Sequence, residues 1–133
     1  MRAGAGGWRP LADRQPGQTV IDALIRALAP TPAETSEPLP RGVAVRRAAW
    51  LPALGGALAR MGAPAAAVTL GRTIVVHPEV PLTRRLLVHE LTHVRQWQAN
   101  PVLFPVRYVW YSIRHGYGAN PYEVEARRAE EQV

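Results

Sequence analysis

Apolar positions along this chain keep two rhythms, one of about 3.6 residues and one of about two, and the change between them divides the sequence into elements. Val20, Ile21, Leu24, Ile25 and Leu28 fall on one stripe at helical spacing. Thr19, with Asp22 three residues on, resembles a capping box, so a helix is predicted from Thr19 to its stop at Pro30. Val43 and Val45 alternate with Ala44 and Arg46 and suggest a short strand. Pro52 to Met61 reads as a short helix with Pro52 in its first turn and Gly62 just past its end. Two β-prone runs, 66–70 and 73–76, flank Gly71-Arg72, the pattern of a hairpin closed by a tight primed turn.

The longest helical pattern runs from Leu82 to Ala99 and stops at Asn100-Pro101. Leu82, Leu86, His89, His93 and Trp97 share one face, and Leu87, Leu91 and Val94 share another. Only Arg84, Val88, Thr92 and Arg95 are left as a narrow band for solvent. A helix apolar on two sides belongs in the middle of a small domain. A further helix is predicted over 105–115, carrying Val106, Val109, Trp110 and Ile113 at i, i+3, i+4 and i+7 and stopping at Gly116. A last helix begins at Asn120-Pro121. Residues 1–17, rich in Gly and Pro, read as a flexible lead, and 18–133 as one domain. The four-proline stretch 30–40 reads as a linker within that domain.

Composition narrows the chemistry. The 133 residues suffice for one core, and 47% of them are hydrophobic, so a globular fold is expected. There is no cysteine, which excludes disulfides, thiolate metal sites and a cysteine nucleophile. The net charge of +6 comes entirely from arginine. Such a surplus permits an acidic partner, but the arginines are spread out, with pairs only at Arg46-Arg47, Arg84-Arg85 and Arg127-Arg128. Nucleic acid is therefore a possible but not a favoured partner. No signal peptide or membrane-spanning run is legible, so the expected location is the cytoplasm, without membrane insertion.

The chemistry is concentrated in His89-Glu90-Leu91-Thr92-His93. Residues four apart lie one helical turn apart, so both imidazoles can reach one metal at about 2.0–2.1 Å. Glu90 sits about 100° round the helix, beside the metal without having to bind it, where it can take a proton from a metal-activated water. One Zn2+ per chain is the expected cofactor. A catalytic zinc usually takes a third protein ligand. His77 stands in a turn before Pro78, His115 closes a helix, and the last helix offers Glu123 and Glu125.

The run from His89 to Gln96, followed by Asn120-Pro121-Tyr122-Glu123-Val124-Glu125-Ala126, resembles the small gluzincin-type zinc metallopeptidases, a group with many bacterial domains. The hairpin 69–76 is similar to the one beside their active-site helix, and the likeness spans roughly residues 66–128. It implies a minimal zincin-like α+β fold, with a small sheet packed on a central helix and two later helices closing the site. In that group the third ligand is the first glutamate of an E-x-x-A pattern, which here is Glu123, with Glu125 in reserve. By analogy the strand 73–76 offers an edge to an extended substrate. One departure stands out: Arg127 occupies the position where the larger enzymes of the group carry an acidic residue.

The expected activity is hydrolysis of a peptide or protein substrate, with Glu90 as general base. An oxyanion donor is expected from Tyr111, His115, Tyr117 or Tyr122, Tyr117 first because it lies in a Gly-flanked loop. Two readings compete. One is a non-catalytic zinc module, or pseudoenzyme, within a larger assembly; the other is an arginine-rich nucleic-acid binder.

Overall fold

The computed structural model describes residues 16–29, 31–58 and 65–133. Its elements are α1 (Pro16–Leu28), β1 (Thr31–Pro32), β2 (Ala44–Arg47), α2 (Trp50–Leu58), β3 (Ala67–Leu70), β4 (Thr73–Val76), α3 (Arg84–Ala99), α4 (Leu103–His115) and α5 (Pro121–Glu130), with a single 3-10 turn at Tyr117–Ala119 before α5. The four strands form one sheet in the order β1-β2-β4-β3. β2 and β4 run parallel, while β1 with β2 and β3 with β4 are antiparallel. The mixed α+β class expected from the sequence is the class observed.

β4 lies between two partners, and all four of its residues are buried. Its sequence, Thr73-Ile74-Val75-Val76, does not alternate because both faces are covered. Ile74 and Val76 meet Val45, Leu87 and Val94 on the side of α3, while Val75 meets Ile25, Ala29 and Leu51 on the side of α1 and α2. The central helix is thus joined by a second helical layer on the far side of the sheet. The edge strand beside α3 is β3. The strand 73–76, expected to present an edge, is interior, because the parallel pairing with β2 takes its outer side.

Several boundaries move. α1 begins at Pro16, so Thr19 is inside the helix rather than its cap, and the end of the supposed flexible lead is helical. The rest of that lead, like Met61 and Gly62 at the expected end of α2, lies outside the described residues. The 30–40 stretch is not only a linker: Thr31 and Pro32 pair with Arg47 and Arg46. A proline is tolerated there because β1 is an edge.

Side-chain orientation departs further from the pattern. Within the α1 stripe Ile25 is buried, but Val20, Leu24 and Leu28 are exposed. In α4, Val106, Trp110 and Ile113 are exposed too, and the helix turns Phe104 and Ser112 inward instead. On α3, Thr92 is buried rather than facing solvent, its hydroxyl donating to the carbonyl of Val88 at 2.9 Å.

Two local devices aim α3 at the rest. Thr83 caps it, its Oγ1 accepting from the Leu86 amide at 3.2 Å. Arg47, at the end of β2, donates to the carbonyls of His77 at 3.1 Å and Val80 at 2.9 Å, clamping the loop that leads into the helix. The hairpin turns at Gly71, whose φ of 62° suits glycine.

Candidate metal centre

α3 turns His89, Glu90 and His93 inward, all three buried, and α5 lies against it. Ala126, fully buried, is small enough for the two helices to approach closely. Glu123, one turn before Ala126, then projects its carboxylate between the two imidazoles. Glu123 Oε2 is 3.0 Å from His89 Nε2, Glu123 Oε1 is 3.1 Å from His93 Nε2, and the two Nε2 atoms are 3.3 Å apart. Four ligands at about 2.0–2.1 Å around a tetrahedral zinc stand about 3.3 Å from one another. Each of these separations, to one or other carboxylate oxygen and between the two nitrogens, is therefore close to the ligand-to-ligand spacing that such an ion requires. Among the described residues, His89, His93 and Glu123 form the group able to hold a metal ion.

The far sides of both rings are engaged. His89 Nδ1 donates to Glu130 Oε2 at 3.1 Å, and His93 Nδ1 donates to Gln96 Oε1 at 2.7 Å. The amide of Gln96 is oriented by its own donation to the carbonyl of Tyr122 at 3.1 Å. With the Nδ1 hydrogens so occupied, each neutral imidazole turns its Nε2 lone pair towards Glu123. Two lone pairs and a carboxylate facing one point repel one another unless a cation or protons lie between them.

Without a metal ion, protons serve. Burial lowers the proton affinity of both imidazoles, but hydrogen bonds to Glu123 and the charges of Glu90 and Glu123 outweigh it, raising His89 and lifting His93 to about 9. Burial pushes Glu123 up, yet its hydrogen bonds with His89, His93 and Tyr108 hold it well below the usual carboxylate range. The hydroxyls of Tyr108 and Tyr117 are pushed up, first by burial and then by the Glu123 carboxylate, so both stay protonated donors.

Glu123, three residues after Asn120, stands where a capping-box carboxylate would reach back to the helix start. The cap is made by Asn120 alone, whose Oδ1 accepts from the Tyr122 amide at 3.0 Å, while Glu123 is turned to the histidines. Glu125 is exposed on the opposite side of α5. Tyr117 lines the cavity over the centre, but Tyr111, Tyr122 and His115 do not. His77 is in the turn, as its place before Pro78 suggested, its Nδ1 accepting from the Glu79 amide.

The roles of five residues were not legible beforehand. Thr69, on β3, donates through Oγ1 to Glu90 Oε2 at 2.8 Å, and Trp97 donates through Nε1 to the Thr69 carbonyl at 3.0 Å. Tyr108 donates to Glu123 Oε1 at 2.6 Å. Gln96 holds His93. Glu130, which Arg85 approaches at 3.8 Å, holds His89. The last two carried faint signals, since Gln96 is one turn beyond His93 and Glu130 two turns beyond Glu123. Glu130 lies one turn beyond Arg127, so the carboxylate behind His89 comes from that position and not from 127.

A cavity of about 450 Å³ opens over this centre, lined by β3, by Leu86, His89, Glu90, His93 and Trp97 of α3, and by residues of α4 and α5. The lining is mostly apolar. No helix among the described residues is long and apolar enough to cross a membrane.

Against known families, residues 56–101 match the model of the eCIS core domain. The matched third of the chain holds the β3–β4 hairpin and α3 with both histidines and Glu90, and stops before Glu123. No curated protein and no solved structure matches the chain.

Proposed function

We propose that this chain is a zinc-dependent hydrolase acting on peptide bonds, with Glu90 as its general base. One observation carries the reading: both imidazoles have their Nδ1 atoms committed to acceptors and their Nε2 atoms converging with the Glu123 carboxylate on one buried point. Zinc held there supplies Lewis-acid polarisation of a carbonyl and lowers the pKa of a coordinated water towards about 7. Glu90 lines the same cavity, and Thr69 fixes its Oε2. It takes the proton of the attacking water and returns it to the leaving amine. Tyr108 orients Glu123. Tyr117, also at the cavity wall, donates to the oxygen on which negative charge develops.

The test is Glu90→Gln against a library of unstructured peptides read by mass spectrometry. The variant is expected to retain one zinc and the fold while hydrolysis drops by at least about a hundredfold. Cleavage at the wild-type rate by the variant removes Glu90 from the mechanism.

A non-catalytic zinc module within a larger assembly is the second reading. It is favoured by the match to the eCIS core domain and by the exposed Val106, Trp110 and Ile113 of α4. On that reading the wild type itself cleaves nothing while still holding zinc.

A further inference from the structure

Arg127 stands one turn after Glu123 on α5, in the lining of the same cavity. The carboxylate behind His89 is that of Glu130, and Arg127 makes no hydrogen bond or ion pair to His89, His93 or Glu123. Its Nη2 donates to the carbonyl of Gly118, in the turn that carries Tyr117. That contact uses one of five guanidinium hydrogens. Among the described residues no carboxylate comes within ion-pairing distance of it. The remaining wall is apolar, contributed by Val68 and Leu70 of β3, Leu86 of α3 and Val109 of α4. With a divalent ion bound, that ion and the guanidinium groups of Arg85 and Arg127 offset Glu90, Glu123 and Glu130. The cavity then does not repel an anion.

We infer that Arg127 is a specificity-determining residue that binds a carboxylate of the substrate, so that the cavity selects apolar peptides bearing a carboxylate close to the bond at the metal centre. The inference rests on the hydrolase reading for the position of that bond. The carboxylate has two sources, a free chain end or an acidic side chain. A planar guanidinium fork suits either, because it can meet both carboxylate oxygens at once.

The test measures binding to the zinc-loaded full-length chain in a Glu90→Gln background, where turnover does not intrude. Zinc content is assayed separately. The probes are short leucine- and alanine-rich peptides in four forms: free C-terminus, amidated C-terminus, amidated with an internal Glu, and amidated with an internal Gln. Tryptophan emission gives Kd, since Trp97 lines the cavity. The free acid, the Glu peptide, or both are expected to bind about tenfold tighter than their neutral counterparts, the typical worth of a charged hydrogen bond. Which pair separates identifies the source of the carboxylate. Arg127→Gln is expected to abolish that ratio and Arg127→Lys, which keeps the charge but not the fork, to restore part of it.

Loss of the bond to Gly118 weakens all four forms alike, so the ratio isolates recognition from a structural role. Equal binding of charged and neutral forms, a ratio unchanged in Arg127→Gln, or no binding of any form overturns the inference. If the ratio behaves as expected but wild type cleaves none of the peptides, the hydrolase reading fails and the carboxylate site stands.

Discussion

At the centre, replacing one of the three side chains that face one another and replacing a group behind them should cost function by different amounts. Replacing His89, His93 or Glu123 by alanine removes a donor atom and is expected to abolish stoichiometric zinc binding, whereas Glu125→Ala, at an exposed position, leaves it intact. Glu130→Gln keeps the size of the side chain but takes the charge from His89 Nδ1, and zinc affinity should fall about 10- to 100-fold. Chelator competition measures all five variants. If Glu130→Gln binds zinc as tightly as wild type, the carboxylate behind His89 is only a surface contact. Glu123 was named from a sequence pattern alone and Glu125 kept beside it. Two residues apart on a helix they face nearly opposite ways, so the packing of α5 on α3 decided between them.

The relevant elements are α3, α4 and α5, and Asn120 joins two of them. It is fully buried; its Nδ2 donates to the Tyr108 carbonyl at 3.0 Å and to Ser112 Oγ at 2.8 Å, while its Oδ1 caps α5. Asn120→Ala leaves a buried hydroxyl and a half-buried carbonyl short of a donor and removes the cap. Melting of the metal-free protein should show a loss of about 2–4 kcal/mol. Because Tyr108 and Glu123 lie on either side of this joint, zinc affinity should fall with it. A stability loss with affinity unchanged means that the joint does not set the ligand geometry. Phe104 reinforces the packing, its ring 5.3 Å from Trp97, 4.8 Å from Tyr122 and 5.9 Å from Tyr108. Asn120 and Pro121 were readable as a helix start, but the two extra bonds of Asn120 reach across a loop and have no local signature.

For the whole molecule, protonation at the centre should give the metal-free stability and the gain on binding zinc opposite dependences on pH. In the metal-free protein His93 is raised from 6.5 to about 9. A folded-state pKa above the unfolded one contributes stability that is complete below pH 6.5 and lost as pH climbs through about 9. Glu123 is lowered from 4.5, so its contribution is complete above pH 4.5 and lost as pH falls below it. The metal-free melting temperature should therefore peak between these two pH values and decline towards pH 9. Zinc must displace the imidazole protons, so its affinity, and the melting-temperature increase it produces, should grow over the same interval. Thermal melts from pH 4 to 9, with chelator and with one equivalent of zinc, check both slopes. A zinc-induced increase that shrinks with rising pH contradicts displacement of those protons.

By itself the sequence determined what local geometry determines. Four residues make a helical turn, so His89 and His93 had to share a face, with Glu90 beside them. Gly71-Arg72 between two β-prone runs had to turn back on itself, and Asn120-Pro121 had to start a helix. The tertiary structure alone decided which faces were buried and what met the histidines from outside α3. The apolar stripes of α1 and α4 look inward in the sequence and are largely exposed in the fold, because periodicity marks a face without saying what covers it. The interior place of β4 came from pairing with β2, about thirty residues away along the chain. Glu130 behind His89, Thr69 on Glu90, Tyr108 on Glu123 and Arg127 in the cavity wall all depend on how helices and a hairpin pack together. Those distances are set by contacts between segments remote in the chain, and no spacing along it encodes them.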